Sequence, residues 1–202
     1  NDSQGNNDGM MDYEESILLS ITVENIGTID ADNVSVKLRS DDMYVTISDS
    51  TEDYGNIAAL STATVNDAFA FDVGMLPDMH PVAFELVCSD GNETWTSNFS
   101  IIGHAPVLVM SDYSIDDPDG NGNGRLDPGE TADIAVTITN EGSSEAYNVT
   151  ALMSSDDDFI SFNSNSPSYG NLQGGNSLAQ NFSVSADPSA PGGHDAHFEF
   201  EM

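Results

Sequence analysis

The chain has 202 residues, 38% of them hydrophobic, which suits one large domain or two of about 100 residues. Its 35 Asp and Glu face three basic residues, Lys37, Arg39 and Arg125, for a net charge of −32. That balance excludes nucleic acid and anionic membrane surfaces as partners, because there are no cations to displace their counterions. No apolar run approaches the about 20 residues of a membrane span.

The first element in chain order is a polar loop, Gln4 to Glu15. Alternating apolar residues follow, the period of strands with one buried face: Ile17, Leu19, Ile21 and Val23, then Val34, Val36 and Leu38, then Phe69, Phe71 and Val73. Val82, Phe84, Leu86 and Cys88 form the next row, which makes Cys88 a small buried hydrophobe. Glu93 to Ile101 predicts a strand that buries Trp95, Phe99 and Ile101. After the short link Gly103 to Pro106, the pattern begins again with a strand over Val107 to Ser114 and a loop over Asp119 to Glu130. Thr131 to Asn140 then reads as a strand, followed by rows at Val149, Ala151 and Met153, at Phe182 and Val184, and at Ala196, Phe198 and Phe200. No segment has a helical period.

The restart is a true repeat. Gly5 to Ile57 aligns without a gap on Gly120 to Leu172 at an offset of 120 − 5 = 115, with 17 of 53 positions identical. A repeat of domain length predicts tandem modules, over 1–103 and 104–202, and not a solenoid of short units. Short strands between Asn, Asp, Ser and Gly turns predict two tandem antiparallel, immunoglobulin-like β-sandwiches. The first copy shows nothing ahead of its polar loop to match Val107 to Ser114, and the second stops before a counterpart of Glu93 to Ile101. Each module is therefore expected to lack an edge strand, supplied by neighbouring sequence or by strand complementation from another copy. The chain reads as a window from a longer protein.

The second loop carries the most specific chemistry. Asp119, Asn121, Asn123, Asp127 and Glu130 place oxygens at loop positions 1, 3, 5, 9 and 12, with Gly124 at the sixth and Leu126 at the eighth. A hard cation such as calcium needs several oxygens converging over a short stretch, and the glycine permits the sharp turn. The loop resembles that of the EF-hand, which implies Asp119, Asn121, Asn123, Asp127 and Glu130 as side-chain ligands and the Arg125 carbonyl as a further one. It departs from that family in leading into a strand, so no helix-opening motion is expected. In the first copy the same places hold Gln4, Asn6, Asp8, Met10, Asp12 and Glu15, a weaker set in which Gln4 replaces the first acid and Asp2 is a substitute.

Asp119 to Glu130, the run from Ala132 to Gly142 and Ala146 to Val149 together resemble the Ig-like modules appended to secreted bacterial proteins. These include the immunoglobulin-like domain of gingipain-type peptidases and adhesion modules of the CARDB kind. The resemblance implies a non-enzymatic, calcium-stabilised structural or adhesive segment of a cell-surface protein or extracellular filament, whose partners are neighbouring copies or domains. Two other readings stand beside it, an accessory region of a secreted hydrolase and a carbohydrate-binding module. No nucleophile motif supports catalysis. His194 and His197 lie three apart, on opposite strand faces, and are not expected to share a metal. The pairs Asp41-Asp42 and Asp156-Asp157 read as solvated turn acids or as a second cation site.

Overall fold

The computed structural model describes residues 2–118 and 120–202, and the side chains from residue 5 onward among them. The chain is all-β, with no helix among the described residues, and divides into two compact units, Asn1–Ala105 and Pro106–Met202. The division falls after Ala105 and not after Gly103. Ala105 is buried in the first unit and donates its N–H to Asp78 Oδ1 at 3.0 Å, whereas the Val107 N–H goes to Asn140 Oδ1 of the second.

The first unit contains β1 (Asp2–Gln4), β2 (Met11–Asp12), β3 (Ser16–Glu24), β4 (Ala31–Arg39), β5 (Val45–Asp49), β6 (Thr51–Ile57), β7 (Thr62–Val73), β8 (His80–Ser89) and β9 (Thr94–His104). They form a four-stranded sheet in the order β1-β3-β7-β5 and a five-stranded sheet in the order β2-β9-β8-β4-β6. Every pairing is antiparallel except the two-residue contact of β2 with β9. The core joins the sheets. Val36, Leu38, Val82 and Phe84 come from one, Phe69 and Phe71 from the other, all 2% exposed or less. Phe71 and Phe84 meet across the gap with ring centroids 5.0 Å apart. Each such aromatic contributes about 1.5–3 kcal/mol by leaving water. Along β4, Val34, Val36 and Leu38 are buried while their neighbours face solvent, the predicted alternation.

The second unit contains β10 (Leu108–Asp116), β11 (Thr131–Asn140), β12 (Ala146–Thr150), β13 (Leu152–Ser154), β14 (Ile160–Ser164), β15 (Ser168–Leu172), β16 (Ser177–Ala186) and β17 (Glu199–Glu201). One sheet runs β10-β11-β16-β14, and the other side is made by the pairs β12-β15 and β13-β17. β12 and β13 together occupy the place of β4. Ile134, Val136, Ile138, Phe182 and Val184 form the core with Ala151 and Met153, again sandwiched between strands of two sheets.

The identical residues of the repeat are mostly polar corners and turns. Tyr54 donates its hydroxyl to the Ile21 carbonyl at 3.0 Å, and Tyr169 to that of Val136 at 2.9 Å. Asn33 and Asn148 both sit at φ 53, where Asn is tolerated better than most side chains, and their N–H groups donate to Asn56 and Asn171. Core positions vary among aliphatics because any residue of suitable volume fills them, whereas these corners need particular donors and acceptors.

Burial pushes the Tyr54 and Tyr169 hydroxyls up to about 12, with smaller contributions at Tyr54 from Cys88 and Glu52. A raised phenol favours the folded state fully below the free value of about 10 and loses that contribution as pH rises through about 12. Phenolate absorbance is therefore expected to show these two of the six tyrosines ionising only near pH about 12, together with unfolding. Ionisation of both near pH about 10 in the folded protein would contradict their burial.

Two predicted features lie differently in the structure. Trp95 is half exposed and not in the core, because the tip of the β8–β9 hairpin reaches the mouth of a cleft between the sheets; Phe99 and Ile101, further along β9, do pack on the core. Ahead of the first polar loop lies a short strand, β1, paired with the start of β3.

Candidate functional site: the two polar loops

The first loop leads into β3, and the second, which follows β10, leads into β11. In the second unit, Asp127 and Glu130 stand on the closing turn, where the Glu130 N–H donates to the Asp127 carbonyl at 3.0 Å and the Ala186 N–H to the Glu130 carbonyl at 2.9 Å. Their carboxylates turn inward over the loop. Asn121 Nδ2 donates to Asp127 Oδ2 at 2.7 Å and to Glu130 Oε1 at 3.1 Å, and Asn123 Nδ2 donates to the same Asp127 oxygen at 2.8 Å. The N–H groups of Asn121 and Asp127 donate to the two Glu130 oxygens. Four of the six predicted positions therefore converge. Asp119 lies outside the described residues, and the Arg125 side chain is exposed.

Glycines make this approach possible. A Cβ on Gly120 would come within 2.8 Å of the Glu130 carboxyl, and Gly122 and Gly124 occupy the left-handed region at φ 70 and 73.

Asp117 was not among the predicted residues. It is 2% exposed, and its carboxylate accepts N–H bonds from Gly122 at 2.9 Å, Asn123 at 3.2 Å and Gly124 at 3.0 Å. The Gly124 bond foremost, then those from Asn123 and Gly122, hold it below the usual carboxylate range against the opposing effect of burial. It braces the loop from behind while Asp127 and Glu130 close the front. The offset of 115 pairs Asp117 with Asp2, the residue proposed as a substitute in the first copy.

The first loop repeats the front half. Asn6 Nδ2 donates to Asp12 Oδ2 at 2.8 Å, the Asn6 N–H to Glu15 Oε1 at 3.0 Å, and the Asp12 N–H to Glu15 Oε2 at 3.2 Å. Asn6, Asp12 and Glu15 therefore meet as Asn121, Asp127 and Glu130 do. Gly5 lies in contact with the Glu15 carboxyl as Gly120 does with that of Glu130. Asp8 instead accepts the Met10 N–H at 2.8 Å within its own turn, Met10 is exposed, and the Gln4 side chain lies outside the described residues. The parallel pairing of β2 with β9, Met11 opposite Gly103 and Asp12 opposite His104, ties this loop to the last strand of its unit.

At the Asp-Asp turns, one acid of each pair holds a histidine. Asp42 Oδ2 is 2.8 Å from His80 Nε2, and Asp157 Oδ2 is 2.6 Å from His194 Nε2. Tyr44 and Phe159 set their rings edge-on to these imidazoles, at 5.0 and 5.1 Å. At Asp157, the Phe159 N–H and then His194 hold the carboxyl below its ordinary range. At Asp42, burial acts the other way and is outweighed by the Tyr44 N–H and His80. Asp42 and Asp157 thus tie their turns to a histidine from a later segment of the same unit, whereas Asp41 and Asp156 are exposed. Cys88 is partly buried against the core, and burial pushes its thiol up.

No family model matches the chain, and no curated protein matches it. Among solved structures, it is similar to a protein of unknown function from Porphyromonas gingivalis, at 14% identity and a TM-score of 0.26, over 89% of this chain and 79% of that one. It is also similar to the YadV chaperone, at 9% and 0.28 over 95% and 87%, and to the CupB2 chaperone of Pseudomonas aeruginosa, at 8% and 0.29 over 94% and 96%. At these TM-scores the likeness carries no argument about function.

Proposed function

We propose that the chain is a pair of tandem immunoglobulin-like modules from a cell-surface protein or extracellular filament, stabilised by calcium and serving as a structural or adhesive segment, not as an enzyme. The observation that carries this reading is the convergence of Asn121, Asn123, Asp127 and Glu130 on one another, repeated by Asn6, Asp12 and Glu15. The donor set is oxygen throughout once each amide turns by half a rotation, and two carboxylates at the front of the second loop match the hard, divalent character of calcium. Asp119 adds a third acid to the same loop in sequence.

The ion neutralises carboxylates that otherwise repel one another in a chain of net charge −32, and it fixes the incoming chain to the strand that follows each loop, β3 or β11. Rigid modules joined by a short link suit load-bearing or display outside the cell, where calcium is abundant enough for sites of about 10⁻⁴–10⁻³ M.

Isothermal titration of the 202-residue chain tests this. Calcium is expected to bind the second loop with a Kd of about 10⁻⁴–10⁻³ M, more tightly than the first, and Glu130→Gln to remove the tighter event. Absence of calcium binding at millimolar concentration would overturn the reading.

A further inference from the structure

The chain holds two Asn-Gly dipeptides, Asn121-Gly122 and Asn123-Gly124, and both lie in the second polar loop. Before a glycine, the backbone nitrogen reaches the asparagine side chain with the least hindrance, because no Cβ stands in the way. That nitrogen attacks Cγ, closes a five-membered succinimide and expels the side-chain nitrogen as ammonia. Water then opens the ring, at Cγ to give aspartate or at the backbone carbonyl to give isoaspartate. The net change is one water consumed and one ammonia released, with nothing oxidised or reduced. All four residues are exposed, so water reaches them.

The closed loop blocks the first step from both sides. The attacking nitrogens are held, since the Gly122 N–H donates to Asp117 Oδ2 at 2.9 Å and the Gly124 N–H to Asp117 Oδ1 at 3.0 Å. An amide nitrogen must give up its proton to act as a nucleophile, and doing so against a carboxylate sets two negative charges in contact. Asp117 is 2% exposed, so its charge is little screened. The side-chain amides are held as well, Asn121 Nδ2 by Asp127 and Glu130 at 2.7 and 3.1 Å, and Asn123 Nδ2 by Asp127 at 2.8 Å. Opening the loop breaks these bonds and frees both nitrogens.

We infer that Asn121 and Asn123 are latent deamidation sites, and that Asp117 keeps them as asparagine for as long as it holds the N–H groups of Gly122 and Gly124. The charge of the loop then records how long it has stood open, because each conversion adds one carboxylate beside Asp127 and Glu130. Aspartate at 123 is the residue type that the first copy carries at the matching place, Asp8 before Gly9. Isoaspartate instead inserts a methylene into the backbone and draws the following N–H groups away from Asp117. The protection comes from the loop's own hydrogen bonds and not from a bound cation, so it stands or falls apart from the calcium reading.

The test holds the full chain at mildly alkaline pH with calcium, in buffer and in guanidinium chloride, and follows conversion at each asparagine by peptide mass spectrometry. In denaturant, residues 121 and 123 are expected to convert well ahead of Asn92 and Asn98, which precede Glu93 and Phe99. In the folded chain the same two are expected to convert at least about tenfold more slowly. Asp117→Asn leaves one acceptor oxygen for three N–H groups. It is expected to speed conversion at 121 and 123 in buffer at least about threefold, without speeding it at Asn163 and Asn165, each followed by serine in the same unit. Equal rates at 121 and 123 in buffer and in denaturant would overturn the proposal, with no variant needed. A folded Asp117→Asn chain that converts at the unsubstituted rate would overturn it too. Calcium titration of the same sample reports on the cation separately.

Discussion

Glu130→Gln is expected to lower the melting temperature of the second unit by about 6–20 °C in 10 mM calcium and by less in EDTA, where it loses only one of the two acceptor oxygens for the Asn121 and Asp127 N–H groups. The figure follows from mass action. A site with a Kd of about 10⁻⁴–10⁻³ M is about 10–100-fold in excess of half-saturation at that concentration, which stabilises by about 1.4–2.7 kcal/mol, and a unit of about 100 residues shifts by about 4–8 °C per kcal/mol. The amide keeps the volume of the carboxyl that Gly120 packs against, so the substitution removes charge without refilling space. Glu15→Gln is expected to act in the same direction in the first unit with a smaller shift, since Asp8 there serves its own turn. Scanning calorimetry with and without calcium measures both. Equal melting of Glu130→Gln and the unsubstituted chain in calcium would contradict the role given to this carboxylate.

Asn140→Ala is expected to cost the second unit about 3–5 kcal/mol. The side chain is fully buried and satisfies four backbone groups: its amide donates to the Ser144 and Leu172 carbonyls at 2.8 and 2.9 Å, and its oxygen accepts from Gly142 and Val107. Alanine orphans all four, at about 1–3 kcal/mol for each that water cannot reach, against a total stability of about 5–15 kcal/mol. Asn25→Ala removes the equivalent bonds to Ile29, Ile57 and Gly27 in a more exposed corner and is expected to cost about 1–2 kcal/mol. Urea denaturation of the two variants measures the difference. Equal losses would mean that burial of the corner contributes little.

The long strands were readable from residue period alone, because one face of β3, β4, β8, β11 or β16 meets the core and the other does not. The gapless repeat likewise pointed to paired loops, and Asn121, Asn123, Asp127 and Glu130 do converge. Asp117 was not readable, because its partners are the N–H groups of Gly122, Asn123 and Gly124, and backbone donors leave no trace in residue type. The aspartate–histidine pairs escaped for another reason. Asp42 and Asp157 are 115 apart but His80 and His194 are 194 − 80 = 114 apart, so gapless sliding separates residues that fold to the same place. Alternation with Phe99 and Ile101 predicts a buried Trp95, yet it is half exposed; period says which face a residue lies on, but not where the facing sheet ends.

Amide exchange across Gly120 to Glu130 tests the central claim, that a cation organises this loop, most directly. In calcium, the N–H groups of Asn121, Gly122, Asn123, Gly124 and Asp127, which donate to Glu130 and Asp117, are expected to exchange slowly, and to accelerate at least about tenfold when EDTA removes the ion, while β16 is unaffected. Identical exchange in calcium and EDTA would show that the loop holds itself together without a cation and would contradict the account.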